Sequence, residues 1–381
     1  MINKKPFQRC SRCVFDTTVS DIVFDAKGEC QYCKIHDKME DLHPLGVIGE
    51  ERLKKYIKKI KKKGARKKYD CIVGISGGRD STYTLYLAVK LGLRPLAVHF
   101  DNGWNTDISV SNVKNACNIL NIDLYTVVAD WEEFKDLQIS FLRSSTPDAD
   151  IPSDYAIVST LYKVASKEGV KYILNGHSFR TEGTTPISWM YMDGRYFKSI
   201  YKKFSNNRKI KSFPILTATS LFYYSIIKRI KYFFILENIE YIQKDIDRIL
   251  KKELDWEYYG GHHHENTYTK FFQSYYLPKK FNIDKRKREY SALIRSGQFS
   301  RDKALDIIEK DNYEYDEDVV KYVLNKLGLS QNQWQEIMDL PIKSHNDYST
   351  YLKYIKLLKY PIKIAVKLRL LPNILYLKYA K

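Results

Sequence analysis

Apolar positions along residues 69–175 recur with two alternating periods. Short β-branched runs at 69–75, 95–100, 123–128 and 171–175 read as buried strands. Between and beside them, residues 81–91, 107–121, 131–144 and 153–168 carry apolar side chains at helical spacing. Gly92 and Gly169 fit as helix stops, and Ser153 or Asp154 as an N-cap. Apolar strands alternating with amphipathic helices predict a parallel, doubly wound α/β sheet covered on both faces. A basic helix precedes it at 51–68, where Leu53, Tyr56, Ile57 and Ile60 form one apolar stripe among eleven Lys or Arg. It reads as a solvated linker helix in preference to an anion-binding surface. Past residue 239 the pattern turns helical, with helices expected at 301–310, 316–327 and 331–339.

Ligands of such sheets bind beyond the carboxyl ends of the strands, and polar residues follow three of the four. After the first comes Ser76-Gly77-Gly78-Arg79-Asp80-Ser81, a glycine-rich turn opening a helix. Backbone N–H groups and the helix dipole converge there on one point, which suits a phosphate. No Gly-Lys-Ser/Thr follows, so it is not a Walker A loop. It resembles the pyrophosphate loop of the N-type ATP pyrophosphatases, which adenylate a carbonyl oxygen and release pyrophosphate. After the second strand comes His99-Phe100-Asp101-Asn102-Gly103-Trp104, and after the fourth Gly176-His177 with Arg180 and Glu182.

Ser76, Gly77, Gly78 and Ser81 are expected to hold phosphates, and Asp80 a magnesium ion. Arg79, His99, Phe100, Gly176 and His177 are assigned with them to ATP. Asp80, Ser81, Asp101 and His177 are the candidate catalytic residues. His99 and Asp101 either border the adenosine or polarise the reacting carbonyl. Arg180 and Glu182 read either as contacts to the acceptor substrate or as a surface ion pair.

Charge widens the picture. The chain of 381 residues carries a net charge of +19, which implies an anionic partner without choosing one. No run reaches the ~18 apolar residues of a membrane span, and the first residues lack a signal-peptide core, so a cytoplasmic protein is expected. Six cysteines in a reducing compartment point to metal binding. Cys10, Cys13, Cys30 and Cys33 form two knuckles with the spacing of a structural zinc ribbon, and residues 25–28 read as a hairpin turn between them.

The remaining segments are more ambiguous. Residues 184–213 are polar and aromatic, including Trp189 and Tyr191, and form either a substrate lid or packed core. Residues 201–208 and 228–234 mix cations with aromatics, as single-stranded RNA sites and snorkelling surface helices both do. His262, His263 and His264 follow two glycines and read as donors to phosphate or carboxylate, or as a subunit contact. Lys280 and the run 284–288, with Arg286, form a second anion-binding candidate. Residues 351–381 hold eight Lys or Arg and no acid, a basic amphipathic tail suited either to an acidic membrane or to docking. The expected layout is a zinc ribbon at 1–45, an ATP-binding domain at 46–200, a mostly helical substrate and partner region at 201–340, and the tail at 341–381.

The cysteine-flanked start with Asp16-Thr17-Thr18, the 74–81 loop, Asp101-Asn102-Gly103-Trp104, Asn175-Gly176-His177, Gly260 to Glu265 and Lys280-Phe281-x-Ile283-Asp284 together resemble the N-acetyl sugar amidotransferase family. The similarity reaches roughly to residue 340. It implies a PP-loop (adenine-nucleotide α-hydrolase) fold using ATP, Mg2+ and Zn2+. It further implies conversion of the acetamido group of a nucleotide-activated N-acetyl sugar into an acetamidino group, for O-antigen or flagellin glycan assembly. Substrate contacts are then expected from Trp104, Arg180, Glu182, His263, His264, Lys280 and Arg286. No Gly-x-Cys-x-Gly elbow surrounds Cys71 or Cys117, and the chain opens on Met1-Ile2, so no built-in glutaminase is expected. Ammonia would come from separate glutaminase and cyclase-like subunits. The rival is a tRNA-modifying enzyme of this superfamily, a lysidine-type ligase or a thiolase. The net charge favours it, and the two spare, buried-looking cysteines weigh against thiolation. Nucleic acid is therefore not the expected partner.

Overall fold

The strands form where apolar β-branched runs predict them, and a fifth joins. They are β1 (Cys71–Gly74), β2 (Pro95–Asp101), β3 (Leu124–Val128), β4 (Tyr172–Asn175) and β5 (Lys231–Phe234). The computed structural model describes residues 6–206, 210–261, 263–310, 315–367 and 376–380. The sheet order is β3-β2-β1-β4-β5, and every neighbouring pair is parallel. The first helices are α1 (Gln31–Leu42), α2 (Gly46–Gly64), α3 (Arg79–Lys90), α4 (Asp107–Ile119), α5 (Trp131–Arg143) and α6 (Ile151–Lys167).

The strand period of two divides the core. Cys71, Val73, Ala97 and Leu174 pack with Leu85 and Ala88 of α3, Val113 of α4 and Leu250 of helix Gln243–Leu254. Ile72, Leu96, Val98 and Ile173 face Leu161, Val164 and Ala165 of α6 on the other side. The helix stops Gly92 and Gly169 have φ of 71° and 65°, the left-handed region glycine adopts freely. Leu53, Ile57 and Ile60 bury the apolar stripe of α2, while Lys54, Lys55, Lys58, Lys59 and Lys61–Lys63 are exposed. The basic helix is thus an amphipathic cover for the sheet.

Several expectations need correction. Residues 231–234 are β5 and belong neither to a surface helix nor to an RNA-stacking segment; Phe233 stacks on Tyr56 at 4.3 Å. The sheet therefore continues past residue 200. The aromatic part of the 184–213 segment packs into the core and is not a lid: Trp189, Tyr191 and Tyr196 are buried, and Asp193 caps helix Gly194–Phe204; residues 207–209 lie outside the described residues. Helix α6 starts at Ile151, two residues before the expected cap, with Pro152 in its first turn. Helices Arg301–Lys310, Glu317–Leu327 and Gln331–Asp339 lie as expected. In the tail, helix Lys359–Lys367 buries no side chain, and residues 368–375 lie outside the described residues. Among the described residues, no helix is long and apolar enough to cross a membrane.

The sheet order reverses between β1 and β4, so their loops diverge and open a crevice at the switch point. Gly176 lets β4 approach α3 closely. A Cβ there would lie 2.7 Å from the Asp80 carbonyl oxygen and 2.9 Å from Thr84 Oγ1. Gly176→Ala should therefore cost about 1–3 kcal/mol in urea unfolding; an unchanged midpoint would show that α3 yields freely.

Candidate functional site

The Ser76–Ser81 loop is rigidly tied. Gly77, at φ 81°, sits so near α4 that a Cβ would fall 2.2 Å from the Ser109 carbonyl oxygen. Its own carbonyl accepts from Asn112 Nδ2 (3.1 Å) and Trp256 Nε1 (2.9 Å). Ser81 Oγ accepts from the Ser76 N–H (3.1 Å) and donates to the Gly78 carbonyl (3.1 Å). Gly78 opens α3 with no side-chain cap of its own, and the Arg79 N–H donates to the Tyr259 hydroxyl at 3.2 Å. The Arg79 side chain is engaged elsewhere: Nη2 pairs with Asp247 Oδ2 at 3.0 Å on helix Gln243–Leu254.

The β2 loop forms the next wall. His99 Nδ1 donates to the Ile75 carbonyl (2.8 Å), and its Nε2 accepts from Asn105 Nδ2 (3.0 Å). Asp101 Oδ1 accepts from the Gly103 N–H (2.9 Å) and from Asn105 Nδ2 (3.0 Å). These bonds lock the loop against β1. Phe100 is core. Asn105 also bridges to Asn266, which brings residues 263–266 beside the Ser76–Ser81 loop.

A charge network fills the switch point. His177 Nδ1 lies 3.0 Å from Glu182 Oε1, and His263 Nε2 3.7 Å from Glu182 Oε2. His263 Nδ1 is 3.5 Å from Glu265 Oε1. Burial alone would push the Glu182 carboxyl up, but His177 and His263 hold it well below the ordinary range. Burial opposes the charge on His263, yet Glu182 and Glu265 outweigh it and push the imidazole up to about 10. Burial and then Glu182 push Asp80 up to about 7, and its Oδ1 accepts from the Tyr241 hydroxyl. Farther in, burial and Arg288 push Lys285 down to about 8, while burial and Asp154 push Asp150 up to about 7. The site therefore holds several groups that exchange protons near neutrality.

Other expected substrate contacts are occupied by structural work. Trp104 is buried and donates to Gln138 Oε1 at 2.8 Å. Arg180 is buried, with Nε 2.8 Å from Glu40 Oε1 and Nη1 3.0 Å from the Glu237 carbonyl. It pins α1 to the sheet domain and is not a surface ion pair. Lys280 Nζ donates to the carbonyls of Ile337, Met338 and Leu340 (2.7, 2.8 and 2.9 Å), closing the end of helix Gln331–Asp339. Arg286 forks onto Asp284, with Nη2–Oδ2 at 2.8 Å. Burial and Lys270 push His264 down to about 4, so it is no cation at neutral pH. His262 lies outside the described residues. Tyr241 and Asp150 enter the site unforeseen, while Glu265 comes from the motif 260–265 and Lys285 from the run 284–288 expected to bind anions; Lys285 faces Asp150 and Asp154 instead. A surface cleft lined by Arg143, Phe204, Ile337 and Lys343 includes none of the strand-end residues.

The four cysteines converge. Their Sγ atoms lie within 4.8 Å of one another, all buried. Three of the separations, Cys10–Cys33, Cys13–Cys30 and Cys30–Cys33, are 3.7 Å. A tetrahedron with metal–sulfur bonds of ~2.3 Å has edges of about 3.8 Å, so the thiols fit a closed metal site. The expected turn between the knuckles is present, with Gly28 at φ 76°. Arg295 supplies a counter-charge, with Nη2 3.1 Å from Cys13 Sγ and Nε 3.3 Å from Cys33 Sγ.

Comparison with known proteins locates a second part of the chain. Residues 265–360 match the family of the C-terminal domain of WbpG-like lipopolysaccharide (LPS) biosynthesis proteins. An uncharacterised protein of Methanocaldococcus jannaschii is 30% identical over 176 residues, 44% of this chain. The chain spans 58% of that relative's length. Among solved structures, the NH3-dependent NAD synthetase of Campylobacter jejuni aligns with TM-score 0.31 and 13% identity, over 77% of this chain and 97% of its own. The U34-tRNA thiolase NcsA of Methanococcus maripaludis aligns with TM-score 0.31 and 16% identity, over 81% and 89%.

The network makes a signed prediction. His263 should remain protonated past pH 8 in an NMR titration, and Glu182→Gln should lower its pKa. Because the folded-state pKa is raised, the stability His263 contributes is complete below its unfolded pKa of about 6.5. It is lost as pH rises through about 10. A His263 that titrates near 6.5 in the native protein would contradict this geometry.

Proposed function

We propose that the protein is an ATP-dependent amidotransferase that replaces the acetamido oxygen of a nucleotide-linked N-acetyl sugar with ammonia-derived nitrogen. One observation carries the reading. Glu265, where the WbpG-like region begins, stands 3.3 Å from Ser76 of the Ser-Gly-Gly-x-Asp-Ser loop. A phosphate loop and a region similar to LPS biosynthesis proteins thus share one site.

The chemistry runs in two steps. The amide oxygen attacks the α-phosphorus of ATP, an O–P bond forms and pyrophosphate leaves. Ammonia then adds to the activated carbon, the C–O bond breaks, and AMP leaves an amidinium. Loop amides and the N-terminus of α3 take up charge on the departing pyrophosphate. Magnesium, when bound, neutralises the polyphosphate. His177 and His263 set positive charge beside the loop. Asp80, beside the loop, would help hold the magnesium ion, and Asp150 and Lys285 lie farther in.

Separate glutaminase and cyclase-like subunits supply the ammonia. Cys71 and Cys117 are buried, and burial raises both thiols, Cys117 to about 11. Neither suits a glutaminase nucleophile or a sulfur carrier. The four N-terminal cysteines hold zinc as a brace. The exposed basic tail helix supports peripheral contact with an acidic membrane from the cytoplasmic side.

Incubation with ATP, Mg2+, ammonium and a panel of nucleotide-linked N-acetyl sugars should release AMP and pyrophosphate. The product mass should show oxygen replaced by NH. Release stimulated by unmodified tRNA and by none of the sugars would sink this reading. Asp80→Ala should lower kcat by at least about a hundredfold with the fold intact. Metal analysis should find zinc, and its removal by a chelator should lower the Tm. A metal-free protein of equal Tm would remove the zinc brace.

A further inference from the structure

The segment after the histidine run carries a carboxylate onto the phosphate loop. Glu265 is only 8% exposed. Its Oε1 accepts from Ser76 Oγ at 3.3 Å, and a Cβ on Gly78 would fall 2.8 Å from that same oxygen. Its backbone is fixed too: the Glu265 carbonyl accepts the Thr106 N–H at 3.1 Å, and Asn266 pairs with Asn105. The second oxygen, Oε2, is buried and has no hydrogen-bond partner. A buried acceptor left unmade is costly, so the position suits a bound ligand.

The identity of that ligand follows from charge. A carboxylate this close to Ser76 and Gly78 repels any phosphate the loop receives. A hard divalent cation removes the conflict, because it takes carboxylate and phosphate oxygens in one coordination sphere. The nearby His263 approaches Oε1 at 3.5 Å, which leaves Oε2 to the metal. Asp80, by comparison, already has one oxygen committed to Tyr241. We propose that Glu265 is a ligand of the magnesium ion that enters with ATP, and that the same carboxylate discriminates against metal-free ATP. This rests on the reading of the loop as an ATP site. It makes the WbpG-like region a direct reader of the nucleotide's metal.

A purely structural Glu265, acting as an anionic partner for the N-terminus of α3, would behave differently. Its removal would weaken the fold and leave the metal dependence of ATP binding alone. The test is calorimetric titration of ATP into the full-length wild type, Glu265→Gln and Glu265→Asp, each in EDTA and in excess Mg2+. Wild type should bind ATP more tightly with Mg2+. Glu265→Gln should bind metal-free ATP about tenfold more tightly than wild type, and its Mg2+ advantage should shrink by a similar factor. Glu265→Asp, which keeps the charge, should retain part of that advantage. An unchanged Mg2+ advantage in Glu265→Gln overturns the proposal. Should that variant fail to fold by circular dichroism, an Mg2+ advantage in Glu265→Asp equal to wild type overturns it instead. Wild type that binds ATP in neither condition fails the ATP-site reading itself, and this proposal with it.

Discussion

A carboxylate stays ionised in a buried site only when cations surround it, and Glu182 is held that way by His177 and His263. The three come from different places. His177 follows β4, Glu182 ends the turn after it, and His263 arrives from beyond the sheet. The Glu182 N–H donates to the Ser178 carbonyl at 2.9 Å, and Gly183 follows at φ 69°. A Cβ on Gly183 would lie 3.1 Å from Ala292, so the turn is moulded against helix Arg286–Arg295. The charge pattern at the switch point thus requires the C-terminal region to be docked.

That same helix reaches the other way, to the cysteine lobe. Arg295 faces the four thiols, Lys287 pairs with Asp16 at 2.8 Å, and Ser291 Oγ accepts the Val14 N–H at 3.3 Å. At the far end, Ser296 Oγ donates to the Arg180 carbonyl at 2.7 Å, while the Arg180 guanidinium holds Glu40 of α1. A lobe of about forty residues cannot bury a sufficient core alone. Here Phe15 and Tyr32 join one apolar cluster with Phe271 and Trp334. Cysteine lobe, sheet and C-terminal helices are interlocked parts of one body, which a division at residues 45 and 200 does not capture.

Features set by local spacing were legible in the sequence. Four strands, their helices, the glycine stops and the two cysteine knuckles depend on residues close in the chain. β5 was not legible: four residues, Lys-Tyr-Phe-Phe, become a strand only because β4 offers an edge. The strand-end loops announced the site, since a doubly wound sheet always presents them at one edge. Tyr241, Glu265 and Lys285 reach it from far along the chain, which no period encodes. Lys280 shows the converse. A lysine in a basic run resembles an anion ligand, yet its partners are carbonyls 57 to 60 residues away. Ser153 or Asp154 read as a cap, whereas α6 starts at Ile151 with Pro152 in its first turn.

The net charge of +19 is not concentrated at the Ser76–Ser81 loop. Much of it lies on exposed surface, as the lysines of α2 show. Around the loop itself acids are abundant: Asp80, Glu182 and Glu265 stand there, with Asp150 and Asp154 farther in. Protein cations answer some of this charge, and Glu182 alone engages two of them. Glu182 and Glu265 are buried, so their charge is poorly screened and opposes an unneutralised polyphosphate, against the pull of the helix dipole and the half-exposed His177 and His263. On the proposed reading of the loop as an ATP site, so many carboxylates around it favour a ligand that brings its own cation. The surface excess acts at longer range, where it attracts anions in general and is screened beyond a Debye length.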